Sequence, residues 1–203
     1  MLTREEIEQA ITGRSPTPEQ RAALWPNADL HRARTPTDDA TEAAVLILLY
    51  PHEGQMRLPL MRRTAFEGDV HSGQISLPGG RREPDESLLR AAVRETHEEL
   101  GVDIDESEVV GSIDPLWIPV SGYVVHPFVA VGKGPFTFTP DEREVDAVIL
   151  SSIEELSRDE LRSSFVRAAR TLPCWRLPQG MVWGATAMIL TDLLARLTLV
   201  RPR

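Results

Sequence analysis

The sequence predicts an α/β fold in which a mixed central sheet is sandwiched between helices. Three features predict it. Apolar β-type runs and helical patterns follow one another in the order β-β-β-α-β-β-β-α. The first run, residues 43–50 (AAVLILLY), is apolar throughout, as a buried strand is. The segment from Asp85 to Leu100 has the periodicity of an amphipathic helix that docks on a core. With 203 residues, 41% of them apolar and 26% charged, the chain suits one globular domain of moderate size with a substantial interior.

Residues 1–40 are polar and carry a short helical pattern at 4–11 followed by Pro16, Pro18, Pro26 and Pro36. They read as an N-terminal arm that packs either on the domain, residues 41–200, or on a partner subunit, the second case giving a homodimer. After 43–50, turn residues lead to a second strand at 56–61 (MRLPLM). A short strand at 74–77 runs into Pro78-Gly79-Gly80, where a tight loop is expected. Pro84-Asp85 supplies the helix start, with Asp85 as N-cap and Glu86 in the first turn. Leu89, Ala92, Val93, Thr96 and Leu100 share the docking side, and Gly101 ends the helix as its left-handed cap residue. Residues 109–118 and 123–131 read as an antiparallel pair, and 144–150 as another strand before the capped helix start Ser151-Ser152-Ile153-Glu154-Glu155. A hairpin of 164–170 with 174–177 is expected next. Residues 183–197 close the domain as a helix, with Ile189, Leu193, Leu194 and Leu197 at helical spacing.

Composition excludes some functions. A net charge of −9 argues against non-specific binding to nucleic acid or to an anionic membrane, both of which depend on excess Lys and Arg. Cys174 is the only cysteine, so no intrachain disulfide forms, and a reducing compartment is the natural reading. The start, MLTREEIEQAI, has no hydrophobic signal core, and the eight-residue run 43–50 falls far short of the ~20 residues that span a bilayer. A cytoplasmic protein without a membrane helix is expected.

The chemistry concentrates in Glu95, Glu98 and Glu99, which stand at i, i+3 and i+4 on the helix and so share one face within a turn. They crowd a C-terminal turn, where the macrodipole disfavours each carboxylate by about 0.3–1 kcal/mol and the pair Glu95/Glu99 adds roughly 0.2–0.5 kcal/mol. A hard divalent cation, Mg²⁺ or Mn²⁺, offsets that cost. The plainer reading of ETHEE is a solvated acidic face. Against it, the opposite side of the same helix is apolar and docked, which orients the acids.

From Gly80 the chain fits a spaced template: Glu86 after five residues, Arg94-Glu95 after seven more, then Glu98-Glu99, Gly101 and Val102, with Thr96 where an aliphatic residue is usual. This pattern resembles the Nudix box, and residues 40–200 resemble the Nudix hydrolases. The resemblance implies an α/β/α sandwich that hydrolyses a small-molecule diphosphate with Mg²⁺ or Mn²⁺. It implies Glu95 and Glu99 as primary metal ligands, Glu98 as a further ligand or a base acting through water, and the Gly79 carbonyl as an additional ligand. Glu86 and Arg94 match the supporting pair in which the arginine orients the glutamates. A carboxylate from a later loop often completes such sites; Glu144 is the first choice, against an ordinary solvated turn. Metal-assisted displacement at phosphorus needs no covalent nucleophile, in keeping with the absence of a G-x-S-x-G elbow.

A second resemblance narrows the substrate. Leu60-Met61-Arg62-Arg63-Thr64 followed by Gly73-Gln74-Ile75-Ser76-Leu77-Pro78-Gly79-Gly80 is similar to the signature upstream of the box in coenzyme A diphosphatases, as are PVSGYVVHP and VWGATA further on. Leu77 stands where phenylalanine is usual, the stretch after Arg63 is about one residue longer, and Glu67-Gly68-Asp69 replaces an internal arginine. A pocket for the 3′-phosphate of coenzyme A needs charged donors, for which Arg62 and Arg63, then Arg81 and Arg82, are candidates; any one of them alternatively solubilises a sheet edge. His71 and Gln74 are placed at the entrance. Trp183 is expected in the core, and Ser76 receives no catalytic role. The reaction implied is cleavage of coenzyme A or an acyl derivative into 4′-phosphopantetheine and adenosine 3′,5′-bisphosphate. The alternatives are a diphosphatase for ADP-ribose, dinucleotides or nucleoside triphosphates, and a non-catalytic nucleotide-sensing module of the same fold.

Overall fold

A computed structural model describes residues 1–25, 36–65, 73–167 and 169–201. Pro26, Glu67, Gly68, Asp69 and His71 lie outside the described residues. Helices α1 (Arg4–Thr12) and α2 (Pro18–Ala22) come first, followed by strands β1 (Thr41–His52), β2 (Gln55–Arg63), β3 (Ile75–Ser76) and β4 (Gly79–Arg81) and helix α3 (Leu88–Leu100). Strands β5 (Val109–Ser112), β6 (Leu116–Ile118), β7 (Tyr123–Val131) and β8 (Val145–Ser152) follow. The one-turn helix α4 (Ile153–Leu156), strands β9 (Arg162–Arg167), β10 (Arg170–Leu177) and β11 (Gly180–Trp183), and helix α5 (Gly184–Val200) complete the chain.

The main sheet is mixed, as expected. β1 and β7 pair in parallel from Thr41↔Tyr123 to Leu49↔Val131, while β4, β5, β6 and β8 join by antiparallel pairing. β1 alternates between two cores. Ala44, Leu46, Leu48 and Tyr50 pack with Ala91, Ala92 and Leu100 of α3; Ala43, Ile47 and Leu49 pack on the other side with Ile7 and Ile11 of α1 and Leu190 and Leu193 of α5. The uninterrupted apolar run therefore reflects a strand covered on both faces. The result is an α/β/α sandwich.

The described part of the arm packs on its own domain. A capping box starts α1, with Thr3 and Glu6 bonded reciprocally. Ile7 and Ile11, each stabilised by about 1.5–3 kcal/mol on burial, face α5 and β5. Trp25 meets Trp175 edge-on at 4.7 Å and donates to Thr191 at 2.8 Å. Arg21 and the buried Arg196 share the buried Asp192, and both also reach Asp114.

Four sequence expectations are corrected. The expected N-cap Asp85 has φ 67°, and the cap is Ser87, whose hydroxyl accepts from Arg90 N at 3.1 Å. Both residue types are good caps, and Glu86, expected in the first turn, lies ahead of the helix, where it accepts from Glu83 N at 2.7 Å and from Arg94. The glycine pair is strand, not loop, because Gly79 and Gly80 pair with Val45 and Ala44 of β1. The region 109–118 divides into β5 and β6, joined by 113–115. Finally, the closing helix starts at Gly184, and Trp183 belongs to a third strand that completes a separate three-stranded sheet with the expected hairpin. Trp183 is half-buried on that sheet rather than in the core, with Phe165 edge-on at 5.5 Å and the Arg167 guanidinium 4.6 Å from its ring.

Candidate active site

The site is assembled from the C-terminal half of α3, the strand β4 beside it, the end of β2 and the loop before β8. Gly101, at φ 66°, ends α3 in the expected left-handed cap, its N–H donating to His97 O. Two further carbonyls of the last turn are used by the loop: Thr139 N donates to Leu100 O at 2.9 Å and Asp141 N to Glu99 O at 3.1 Å. The same loop is tied to the end of β2, where Thr64 N donates to Glu144 O at 2.9 Å. Glu144 is thereby held near the box acids, and its charge acts on both Glu95 and Glu99.

Arg94 commits all five of its N–H donors. Nε and Nη2 grip Glu86 at 3.2 and 2.8 Å, Nη1 reaches Glu95 at 3.0 Å and Glu98 at 2.8 Å, and Nη2 also donates to Arg81 O at 3.2 Å. The bond from Arg94 holds Glu86 below the usual carboxylate range. A lysine has no fork to replace these contacts. The arginine orients the acids, and no donor is left over for a ligand.

Glu99 is only 2% exposed, and Gly79 N donates to its Oε2 at 2.8 Å. Burial above all pushes this carboxyl up to about 8, with the nearby charges of Glu95 and Glu144 adding to the effect. Burial raises Glu95 as well. Leu46 N and Arg82 N donate to Pro78 O and Glu42 O, so the β1–β4 ladder uses residues on either side of Gly79. The Gly79 N–H is thereby left out of the β1 ladder and donates to Glu99. Gly80 brings backbone against the second acid, since a Cβ there would lie 2.5 Å from the Glu95 carboxyl carbon.

Among the described residues, no three His, Cys, Asp or Glu side chains are gathered closely enough to form a metal cluster. The expectation of three converging carboxylates is corrected to that extent: Glu95 and Glu98 are turned onto Arg94, and Glu98 is exposed. The donors nevertheless fit a hard divalent cation. They are all oxygens, and among the described residues the buried Glu99 has no hydrogen-bonded cation of its own. Glu99, Glu95 and the Gly79 carbonyl are the residues that would hold it.

The other predicted residues divide. Arg63 is brought in, with Nη1 4.0 Å from Glu99 Oε1. Arg62, its neighbour on the opposite face of β2, is turned away to Asp146 at 3.4 Å. The side chain of Arg81 is exposed, and it is its carbonyl that joins the site. Gln74 accepts from Arg63 N at 3.0 Å through its backbone. Thr96, the exception to the template, is buried with its hydroxyl on Ala92 O and leaves the acids undisturbed. Sequence reasoning missed the Gly79 N–H on Glu99 and the loop 139–144 as a clasp; only the proline-bounded acidic run at 140–144 signalled the second.

Residues 40–173 match the family described as NUDIX domain. The chain belongs to the Nudix family. Among curated relatives of this Nudix chain is the human "Mitochondrial coenzyme A diphosphatase NUDT8", 33% identical over 154 residues that make up 72% of this chain and 65% of that protein. Another is "Nudix hydrolase 15, mitochondrial" of Arabidopsis thaliana, 33% identical over 174 residues, 79% of this chain and 59% of the relative. The chain thus spans less than two thirds of the length of either. Among solved structures, a MutT/nudix family protein from Enterococcus faecalis shares the fold with a TM-score of 0.58 at 15% identity, over 100% of this chain and 81% of that one.

Proposed function

We propose that this Nudix protein is a Mg²⁺- or Mn²⁺-dependent diphosphatase acting on coenzyme A or its acyl derivatives, yielding 4′-phosphopantetheine, or its acyl form, and adenosine 3′,5′-bisphosphate. The observation that carries the reading is the packing of the upstream segment against the box. Arg63 at the end of β2, Gln74 just before β3 and Ser76 in β3 precede Gly79, whose N–H meets Glu99. A segment similar to the coenzyme A signature therefore forms one wall of the carboxylate site, and the human relative that carries a coenzyme A name supports the same choice.

The chain's own groups have distinct tasks in this reading. Glu95 and Glu99 bind the cation, which when present neutralises diphosphate charge and acidifies a bound water. Arg94 and Glu86 hold the acids in place. Glu98 and Glu144 are the candidates for taking the proton from water, and Arg63 supplies positive charge toward the phosphates.

Purified protein is expected to cleave coenzyme A with a kcat/KM at least about tenfold above that for its 3′-dephospho form, ADP-ribose, NADH and nucleoside triphosphates, because a 3′-phosphate bound by arginine contributes charge-assisted hydrogen bonds. Product analysis by mass spectrometry reads this out. Equal turnover of coenzyme A and dephospho-coenzyme A would refute the substrate assignment, and a preference for ADP-ribose would favour the alternative diphosphatase.

A further inference from the structure

The two oxygens of Glu99 are treated differently. Oε2 accepts the Gly79 N–H at 2.8 Å, whereas Oε1 faces Nη1 of Arg63 across 4.0 Å, a charge contact too long for a hydrogen bond. Oε1 therefore retains its lone pairs for a closer cation. Arg63 is under-committed in turn, since its Nε is buried and has no acceptor among the described residues.

A second orphan stands on the same side of the sheet. Ser76 lies opposite Met61 in the β2–β3 ladder, and Met61 and Arg63 project to one face with Arg62 between them on the other. Ser76 Oγ is buried and has no hydrogen-bond partner among the described residues. A buried donor left unmade is costly, so two of them sharing a face beside the carboxylates mark a place for an acceptor. A phosphoryl oxygen meets that description. Arg62 Nε also lacks a hydrogen bond among the described residues, but it lies on the opposite face of β2, 3.4 Å from Asp146 and away from the carboxylates.

Arg63 and a divalent cation compete for the same carboxylate. Two positive charges within about 5 Å of each other repel strongly in a partly dehydrated site. We infer that Arg63 exchanges partners when the metal binds. With no cation on Glu99, the Arg63 guanidinium faces Oε1 across 4.0 Å; when a divalent cation takes that oxygen, the guanidinium is displaced and donates, together with Ser76, to a phosphoryl oxygen of the diphosphate. The inference rests on the metal-dependent diphosphatase reading above. It adds that one side chain links metal loading to substrate binding, so that the phosphate clamp is fully available only when the metal is in place.

The test is Mn²⁺ binding in the absence of substrate, followed by the electron paramagnetic resonance of free Mn²⁺, alongside steady-state kinetics on whichever diphosphate of the panel wild type turns over fastest. Arg63→Gln removes the competing charge, so Mn²⁺ is expected to bind about three- to tenfold more tightly than to wild type. In the same variant KM rises about tenfold or more with a much smaller change in kcat, as loss of a binding contact predicts. Arg63→Lys keeps the charge without the fork, and is expected to hold Mn²⁺ affinity within about twofold of wild type while KM still rises. Ser76→Ala raises KM and leaves Mn²⁺ affinity unchanged. Equal or weaker Mn²⁺ binding by Arg63→Gln overturns the exchange even where wild type is an active diphosphatase. Wild-type protein that neither binds Mn²⁺ nor hydrolyses any diphosphate overturns the functional reading as well, so the two failures are distinguishable.

Discussion

Glu99→Gln is expected to fold, to lose at least about a thousandfold in turnover, corresponding to roughly 4 kcal/mol of transition-state stabilisation, and to be more stable than wild type when metal is absent. The loss follows from removing the negative charge that a cation would need, at nearly constant volume, while glutamine still accepts the Gly79 N–H. The gain follows from burial. Glu99 is 2% exposed and its carboxyl is pushed from an ordinary 4.5 up to about 8. Between those values the folded protein holds a proton that the unfolded chain has released. The stability that this proton confers is whole below pH 4.5, declines as pH rises toward 8, and is lost above it. Metal-free wild type should therefore weaken across that window and the variant should not. At pH 8 the difference is roughly 1–3 kcal/mol, smaller than the full shift implies because a buried charge draws in water and relaxes its surroundings. Urea melts in EDTA at pH 5 and pH 8 measure it. Wild-type turnover, or a variant less stable than wild type at pH 8, contradicts the assignment of Glu99.

Gly79→Ala is expected to carry the largest cost in stability at the site, about 3 kcal/mol or more. Gly79 sits at φ 140°, and a Cβ there would strike Ala44 O and come within 2.5 Å of Val45 Cα. These are backbone atoms of a central strand and have no room to yield. The displaced N–H would also release Glu99, so turnover should fall more than about a hundredfold in whatever protein folds. Gly54→Ala is the matched control. Gly54 has φ 75° but no atom of the described residues within 4 Å of a Cβ, and its alanine variant should lose only about 1 kcal/mol. Similar melts for the two variants would show that close approach at Gly79 has been misread.

Local patterns were the legible part of this fold. The register of Glu95, Glu98 and Glu99, the Gly101 cap and most of the inward face of α3 depend on residues within a few positions of one another and are found where the spacing places them, although Leu88 and Ala91 pack in the core where the spacing predicts Leu89. Buried β1 was readable for a related reason, because two-sided burial writes itself as an unbroken apolar run. Non-local pairing was not legible. Gly79 and Gly80 carry every mark of a turn, and only β1, more than thirty residues earlier, makes them a strand. Trp183 gave no strand signal distinct from the helix after it until β10 was in place beside it. The site follows the same division. Arg94 on Glu95 and Glu98 is a neighbourly contact, whereas Arg63 on Glu99 joins residues 36 positions apart, and no spacing within the box announces it.

The most direct test of the central claim is hydrolysis of coenzyme A by metal-stripped protein, before and after Mg²⁺ or Mn²⁺ is restored, followed by ³¹P nuclear magnetic resonance. The account predicts no reaction in EDTA. On metal addition the diphosphate resonances should give way to the phosphomonoesters of 4′-phosphopantetheine and adenosine 3′,5′-bisphosphate. Turnover that persists in EDTA, or diphosphate resonances unchanged with saturating metal for coenzyme A and every other diphosphate of the panel, would contradict it.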